Sequence, residues 1–124
     1  MKVFKNAWFS RFARKEKITT SALWDAIDRA EKGQIDADLG GGVIKQRIAR
    51  PYEGKSKGYR SIILFRKGDK AFFVYGFPKS ELGNIRADEE DQFKKMARHV
   101  LALTDIQLSG FVANGQFEEV THDD

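Results

Sequence analysis

Basic side chains are concentrated in one part of this sequence, between Val43 and Lys79. Ten lysines and arginines lie there against two acids, Glu53 and Asp69, so the segment carries a charge of +8. The ten are Lys45, Arg47, Arg50, Lys55, Lys57, Arg60, Arg66, Lys67, Lys70 and Lys79. Such groups neutralise phosphates and stabilise the negative charge of a phosphoryl transition state. The segment predicts a polyanion as partner, with RNA as the first candidate. The alternative is a solvated strand edge protected by lysines.

The remaining charges are unevenly distributed along the chain. Residues 1–44 carry +2 and residues 80–124 carry −6, which brings the whole chain to +4. The acidic C-terminal third has two explanations. Its acidic side chains are simply exposed to solvent, or they mask the basic segment when no ligand is bound.

Several kinds of chemistry are excluded by composition. The chain has no cysteine, which excludes disulfides, thiolate catalysis and cysteine metal sites. Its two histidines, His99 and His122, lie in distant segments and do not predict a zinc site. The LGGG run at 39–42 follows no predicted strand and lacks the Gly-Lys-Ser/Thr ending of a phosphate-binding loop. We expect neither a metal nor a cofactor.

The length of 124 residues predicts a single domain spanning residues 1–124. No apolar run approaches the roughly 18–20 residues of a membrane span. The N-terminus is basic but lacks the uninterrupted apolar stretch of a secretion signal. We therefore expect a cytoplasmic protein without membrane contact.

Residues 1–35 predict a strand followed by a helical hairpin. The strand covers Met1 to Phe4, and the first helix covers Ala7 to Arg14. The second helix begins after the hydroxyl residues at 19–21 and ends at Gly33. The glycine-rich segment from Asp36 to Gly42 predicts a loop.

Residues 43–77 predict the core sheet. In the first strand, Ile44, Gln46 and Ile48 alternate with Lys45 and Arg47, so the two cations share one face. Residues 50–58 predict an exposed loop, residues 60–66 a second strand, and residues 71–77 a third. The short connections favour an antiparallel arrangement. Both faces of the later strands are apolar, so helices must cover much of the sheet.

Residues 86–112 predict the C-terminal helices, and residues 113–124 a tail. The first helix begins at the acidic residues 88–91, and the second runs from Asp105 to Val112 behind the capping pair Thr104 and Gln107. The tail contains an extended segment from Phe117 to Val120. The predicted fold is α+β, with two N-terminal helices packed on a mainly antiparallel twisted sheet of three to five strands, and one or two C-terminal helices.

Three short motifs occur in a fixed order in this arrangement. They are K-x-R at 45–47, G-Y-R at 58–60 and P-K-S-E at 78–81. With the element order, they resemble the RelE superfamily of bacterial type II toxins, and within it the RelE/HigB-like toxins. The resemblance implies a RelE-like fold and an endonuclease that cleaves mRNA, either on the ribosome, which we favour, or free of it. It also implies a cognate antitoxin, a helix-turn-helix protein from the adjacent gene, which alone contacts operator DNA.

The resemblance also implies the site residues. The catalytic set is Lys45, Arg47, Arg60, Lys79 and Glu81. The predicted RNA-binding set is Arg50, Lys55, Lys57, Tyr59, Arg66 and Arg86. Two positions depart from the family pattern, because Ser80 replaces an arginine and Arg86 replaces the tyrosine that usually transfers a proton. Tyr59 or Tyr75 is a substitute unless it belongs to the core.

Proton transfer and activity are open at this point. A lysine among other cations loses its proton more readily, so Lys45 is a candidate base and Glu81 a second one. The departures at Ser80 and Arg86 keep an alternative function open. In that alternative the chain is a non-catalytic RNA- or protein-binding regulatory module that retains the fold.

Overall fold

The computed structural model describes residues 1–50, 54–79 and 85–122, and only the backbone of residues 54–57. Four helices and six strands follow one another in this part of the chain. In order they are β1 (Lys2–Asn6), α1 (Ala7–Lys15), α2 (Thr20–Glu31), β2 (Ala37–Gly40), β3 (Val43–Arg50), β4 (Gly54–Arg66), β5 (Lys70–Pro78), α3 (Ala87–Val100), α4 (Asp105–Ala113) and β6 (Phe117–Glu119). None of these helices has both the length and the apolar character needed to cross a membrane.

The strands form one mixed sheet in the order β2-β3-β4-β5-β1-β6. Only the β1–β5 pair is parallel among the described strands, so the prediction of a mainly antiparallel α+β fold is confirmed. The predicted count of three to five strands is wrong, because the sheet has six. The extended segment predicted in the C-terminal tail forms β6 and pairs with β1.

Two predicted loops are partly strand. Ala37–Gly40, within the loop predicted at 36–42, forms β2 and pairs with β3. Gly40, Gly41 and Gly42 all have positive φ, which lets the chain turn within three residues. Because this glycine run reads as a loop, the sequence did not predict the strand before it. Residues 54–58, predicted as loop, belong to β4. Residues 51–53 lie outside the described part.

Each face of the sheet is covered by one pair of helices. The α1–α2 face has a core built around Phe9, Leu23, Ile27, Ile63 and Phe73. The opposite face carries a second core under α3 and α4. Its fully buried strand residues include Val43, Ile62, Leu64 and Phe72. Burying each such side chain contributes about 1.5–3 kcal/mol. The prediction left the placement of the C-terminal helices open, and they lie on the face opposite the N-terminal pair.

Candidate functional site

On the α3–α4 face, the central strands change from apolar to basic along their length. On β3, buried Val43 is followed on the same face by half-buried Lys45 and exposed Arg47. On β4, buried Ile62 is followed, towards the strand start, by half-buried Arg60. The apolar halves anchor α3 and α4, and the basic halves extend beyond them. We call Lys45, Arg47, Arg60 and Lys79 the cationic cluster.

Arg47 and Arg60 lie directly opposite each other on β3 and β4. The backbone N–H and C=O of Arg47 point away from β4, because Asp36 and Arg29 bind them. The two arginines are therefore a non-hydrogen-bonded pair, whose Cα atoms lie about 4.5 Å apart. The Nη1 atom of Arg60 is buried and has no hydrogen-bond partner among the described residues. The two arginine side chains thus leave the same face of the sheet at adjacent positions.

A β-bulge brings the end of β5 to this cluster. Ile62 pairs with Tyr75, but Ile63 pairs with Phe73, so Val74 is an additional residue in β5. The additional residue reverses which side chains of β5 point to each face of the sheet, and Phe77 then lies opposite Arg60. Lys79 continues the same face, with its N–H donating to the Gly58 carbonyl at 3.1 Å. The bulge is therefore what brings Lys79 into the cluster.

Gly58, the first residue of the G-Y-R motif, is required by the close approach of β3. A Cβ atom built there would lie 2.1 Å from the Ile48 carbonyl oxygen and 2.9 Å from the Arg50 nitrogen. Its own carbonyl binds Lys79. The glycine therefore lets β4 start close enough to β3 and β5 for Arg60 and Lys79 to share a face.

Arg47 is held at the sheet edge by side chains. Strand β2 starts at Ala37, which pairs with Lys45, so no residue of β2 lies opposite Arg47. The Asp36 Oδ2 atom accepts the Arg47 N–H at 2.7 Å instead. The Arg29 guanidinium donates to the Arg47 carbonyl and lies 3.6 Å from Asp36. The Arg47 Nε atom is 3.7 Å from Asp36 Oδ1. The Arg29–Asp36 ion pair thus takes the place of the missing strand residue.

Between the two β3 cations, Gln46 fixes the strand from the other face. Its side chain is fully buried and donates to the carbonyls of Ala26 and Gln34 at 3.0 and 3.1 Å. It also accepts the Asp36 N–H at 2.9 Å. The sequence signal for this role was a polar residue on the apolar side of an alternating strand. Asp36 and Arg29 had no comparable signal.

The two candidate tyrosines lie on opposite faces. Tyr59 is 2 % exposed, packs edge-on against Phe12 and donates to the Glu16 carbonyl at 3.4 Å. It belongs to the α1–α2 core, on the face opposite Arg60, and its predicted role in RNA binding stays a prediction. Tyr75 is half-buried on the cationic face, with its ring 4.6 Å from Trp8 and 5.8 Å from Phe93. Only Tyr75 shares a face with Arg60.

Other predicted residues lie elsewhere. Arg50 packs over the Tyr59 ring at 4.9 Å and lies 3.8 Å from Glu16, on the α1–α2 face. Arg66 is six residues along β4 from Arg60, about 20 Å away at the rise of a strand, and pairs with Asp69. Neither belongs to the cluster.

Arg86 starts α3 and pairs with Asp88 at 3.1 Å. The hydrogen bond and charge of Asp88 raise the pKa of Arg86 above its usual value, and the same hydrogen bond lowers the pKa of Asp88. Glu81 and the side chains of Lys55 and Lys57 lie outside the described residues. Among the residues that are described, no group of acidic or histidine side chains could hold a metal ion.

A family comparison now adds to this geometry. Residues 1–120 match the model of the RelE toxin of the RelE/RelB toxin–antitoxin system. The chain belongs to the RelE toxin family. The resemblance predicted from the three motifs is thus confirmed at the family level, and the similarity to HigB-like members stays a prediction. No curated protein matches the chain significantly. This RelE-family chain is the toxin of a toxin–antitoxin module, so its partner is an antitoxin.

Proposed function

We propose that this RelE-family toxin is an endoribonuclease that cleaves mRNA. The observation that supports this most directly is the register pair Arg47 and Arg60, together with the buried Arg60 Nη1 atom, which no described residue binds. Like charges directly opposite each other destabilise a sheet, so a bound anion between them stabilises it. A phosphodiester fits this position because guanidinium groups bind phosphate oxygens in pairs.

In the proposed reaction, the 2′-oxygen of a nucleotide attacks the adjacent phosphorus and loses its proton to a base. The bond between phosphorus and the 5′-oxygen breaks, and that oxygen gains a proton. The products carry a 2′,3′-cyclic phosphate and a 5′-hydroxyl. Arg60, Arg47 and Lys79 stabilise the negative charge on the non-bridging oxygens, which is usually the largest contribution to such catalysis.

For proton transfer we assign Lys45 as the base, with Glu81 as the second candidate, and Tyr75 as the acid. Lys45 and Tyr75 lie on the same face as Arg60. The Tyr75 hydroxyl has no hydrogen-bond partner within the described ranges, and its ring is held between Trp8 and Phe93. A fixed phenol can donate a proton to a departing alkoxide.

The proposed setting is the cytoplasm, with mRNA on the ribosome as substrate. The cognate antitoxin is a helix-turn-helix protein encoded by the adjacent gene, and operator DNA is contacted only through it. Family membership and the cationic cluster support this proposal.

A cleavage assay tests the function. The purified toxin is incubated with a synthetic mRNA, with and without ribosomes, and the products are analysed for a 2′,3′-cyclic phosphate. We expect cleavage in at least one condition and none when the scissile nucleotide carries a 2′-deoxy sugar. RNA binding without cleavage in either condition would favour the non-catalytic binding module.

A further inference from the structure

The outer surface of α1 carries four exposed cations, Arg11, Arg14, Lys15 and Lys17. None of their side chains forms a hydrogen bond or an ion pair with another described residue. The charge of Arg14 does act on the nearby Glu118 carboxylate. Most cations of the sheet do have such a partner, such as Asp36 for Arg47. We call these four residues the α1 surface.

Lys17 is the decisive residue of this surface. It has φ 57°, and it is the only described non-glycine residue with a positive φ. It occupies the position after the C-cap of α1 in a Schellman motif, where the Ile18 N–H donates to the Ala13 carbonyl at 2.8 Å. Glycine is strongly preferred there, because a side chain is strained in this conformation. A lysine at this position indicates that its charge has a use.

Favourable interaction with the helix dipole explains only part of the α1 surface. Arg14 and Lys15 lie in the last turn, where cations stabilise the C-terminal end of a helix. Arg11 lies before that turn, and Lys17 lies beyond the helix in a strained conformation. These two residues need another explanation.

The α1 surface is next to the end of the sheet that carries the cationic cluster. Glu16, the C-cap of α1, accepts the Tyr59 hydroxyl through its carbonyl and lies 3.8 Å from Arg50 through its carboxylate. Tyr59 directly precedes Arg60 and pairs with Pro78, which directly precedes Lys79. The α1 surface and the cationic cluster therefore lie at the same end of the sheet, on opposite faces of it.

We propose that the α1 surface is a second binding site, which takes the phosphodiester backbone of RNA outside the cleaved position. This inference rests on the proposed function, because it extends the path of the same substrate. The expected ligand is either the flanking mRNA or ribosomal RNA, since both present the same chain of phosphates. The positive charge, and the absence of hydrogen bonds and ion pairs from these side chains to the described residues, match a polyanion, and binding is expected to weaken steeply with salt.

The test compares two variants with equal net charge. In the first, the four α1-surface residues are changed to glutamine. In the matched control, Lys32, Lys67, Lys95 and Arg98, four exposed cations elsewhere, are changed to glutamine. Binding is measured over a salt series with 2′-O-methyl RNA, which cannot be cleaved, of about 4 and about 12 nucleotides, and with ribosomes.

For the longer RNA, we expect the α1 variant to bind at least tenfold more weakly than the control at low salt. The slope of log affinity against log salt should flatten by about 2. The short RNA should bind both variants equally. An effect seen only with ribosomes assigns the site to ribosomal RNA. If log affinity has the same slope against log salt for both variants on every ligand, the inference is overturned. It is also overturned if the α1 variant loses only antitoxin binding, which would indicate a protein interface.

A single substitution gives an independent test. Lys17→Gly removes the charge and relieves the backbone strain, so the melting temperature should rise while affinity for the longer RNA falls several-fold. A rise in stability with unchanged affinity contradicts the inference. Because these measurements use uncleavable RNA, they are independent of the cleavage assay. Failure of the nuclease proposal alone would appear as intact binding without cleavage.

Discussion

The side-chain amide of Asn6 donates a hydrogen bond of 3.1 Å to the backbone carbonyl of Val74, 68 residues away. Val74 is the bulged residue of β5, so this bond satisfies a carbonyl beside the interrupted ladder. The Asn6 oxygen accepts the Phe9 N–H at 2.8 Å and caps α1. One side chain thus connects the start of α1 to the bulge that turns Tyr75 and Lys79 towards Arg60.

Asn6→Asp separates these two roles. The aspartate keeps the cap acceptor but loses the amide donor to Val74, and it places a carboxylate near that carbonyl. We expect a loss of about 1–3 kcal/mol in the free energy of unfolding, measured in urea, and a larger fractional loss of RNA cleavage than of RNA binding. Thr19→Asp, a change at the N-cap of α2, is the control and should leave cleavage unchanged. Equal cleavage by Asn6→Asp and the native chain would show that the bulge does not depend on this bond.

Replacing Arg60 should change stability and activity in opposite directions. Its Nη1 atom is buried and has no hydrogen-bond partner in the described part of the chain, and Arg60 lies opposite Arg47 in the strand register. Arg60→Leu removes the repulsion and the unsatisfied donor, so we expect the free energy of unfolding to stay constant or rise by about 1 kcal/mol. The cleavage rate should fall by about 10²–10³-fold. Arg66→Leu, at the other end of β4, serves as the comparison and should cleave normally. Destabilisation by Arg60→Leu would indicate that Arg60 is a structural residue.

The opposite faces of the two tyrosines give a paired prediction. Tyr75→Phe removes the proposed proton donor and keeps the ring between Trp8 and Phe93, so kcat should fall by about 10²-fold or more with little change in RNA affinity. Tyr59→Phe removes a hydroxyl that bonds Glu16 and Arg50, so it should cost about 1 kcal/mol of stability and leave kcat unchanged. If the two variants exchange these effects, the assignment of the proton donor to Tyr75 is wrong.

Asp36 should act on activity through Arg47. Asp36→Asn weakens a charge-assisted bond to the Arg47 N–H and the contacts with both arginines, so we expect a loss of about 1–2 kcal/mol of stability. Cleavage should decrease with a higher KM, because Arg47 is no longer fixed. Asp38→Asn is the matched control, since the Asp38 carboxylate accepts the Gly40 N–H at 2.9 Å and contacts neither arginine. A lower KM in Asp36→Asn would mean instead that Asp36 competes with substrate for Arg47.

The Glu118 carboxyl should make part of the free energy of unfolding sensitive to acid. Its hydrogen bond with Lys5 is the largest effect on the pKa of this carboxyl, and burial opposes it. With the Lys5 charge, the Ser10 hydroxyl and the Arg14 charge added, the pKa lies below its ordinary value. A lowered folded-state pKa adds stability above the unfolded value of about 4.3, and this is lost as the pH falls through the folded-state pKa. Because the Glu118 side chain is largely exposed, the effect should stay within about 1 kcal/mol. Urea unfolding of Glu118→Gln between about pH 3 and 7 should show a flatter profile than the native chain in the acidic part of that range. A profile parallel to that of the native chain would contradict this assignment.

Local pattern in the sequence determined most of the elements and part of the site, but not β2 or the start of β4. The alternation in β3 correctly separated Lys45 and Arg47 from Ile44 and Ile48, because side chains of a strand alternate between its faces. The capping pair Thr104 and Gln107 correctly marked the start of α4. The three motifs were enough to indicate the family. Each of these signals depends on residues close together in the chain.

Tertiary structure alone decided which cations share a face. The bulge at Val74 reverses the alternation of β5, and its carbonyl is bound by Asn6 from the other end of the sequence. Long-range packing also separates Arg50 and Tyr59 from Arg60. All three were predicted as site residues, but Arg50 and Tyr59 pack against each other and α1 on the opposite face. Strand register and bulges are set by contacts between residues distant in sequence. The sequence therefore determined that a basic sheet exists, and long-range packing decided that Arg47, Arg60 and Lys79 meet on one face of it.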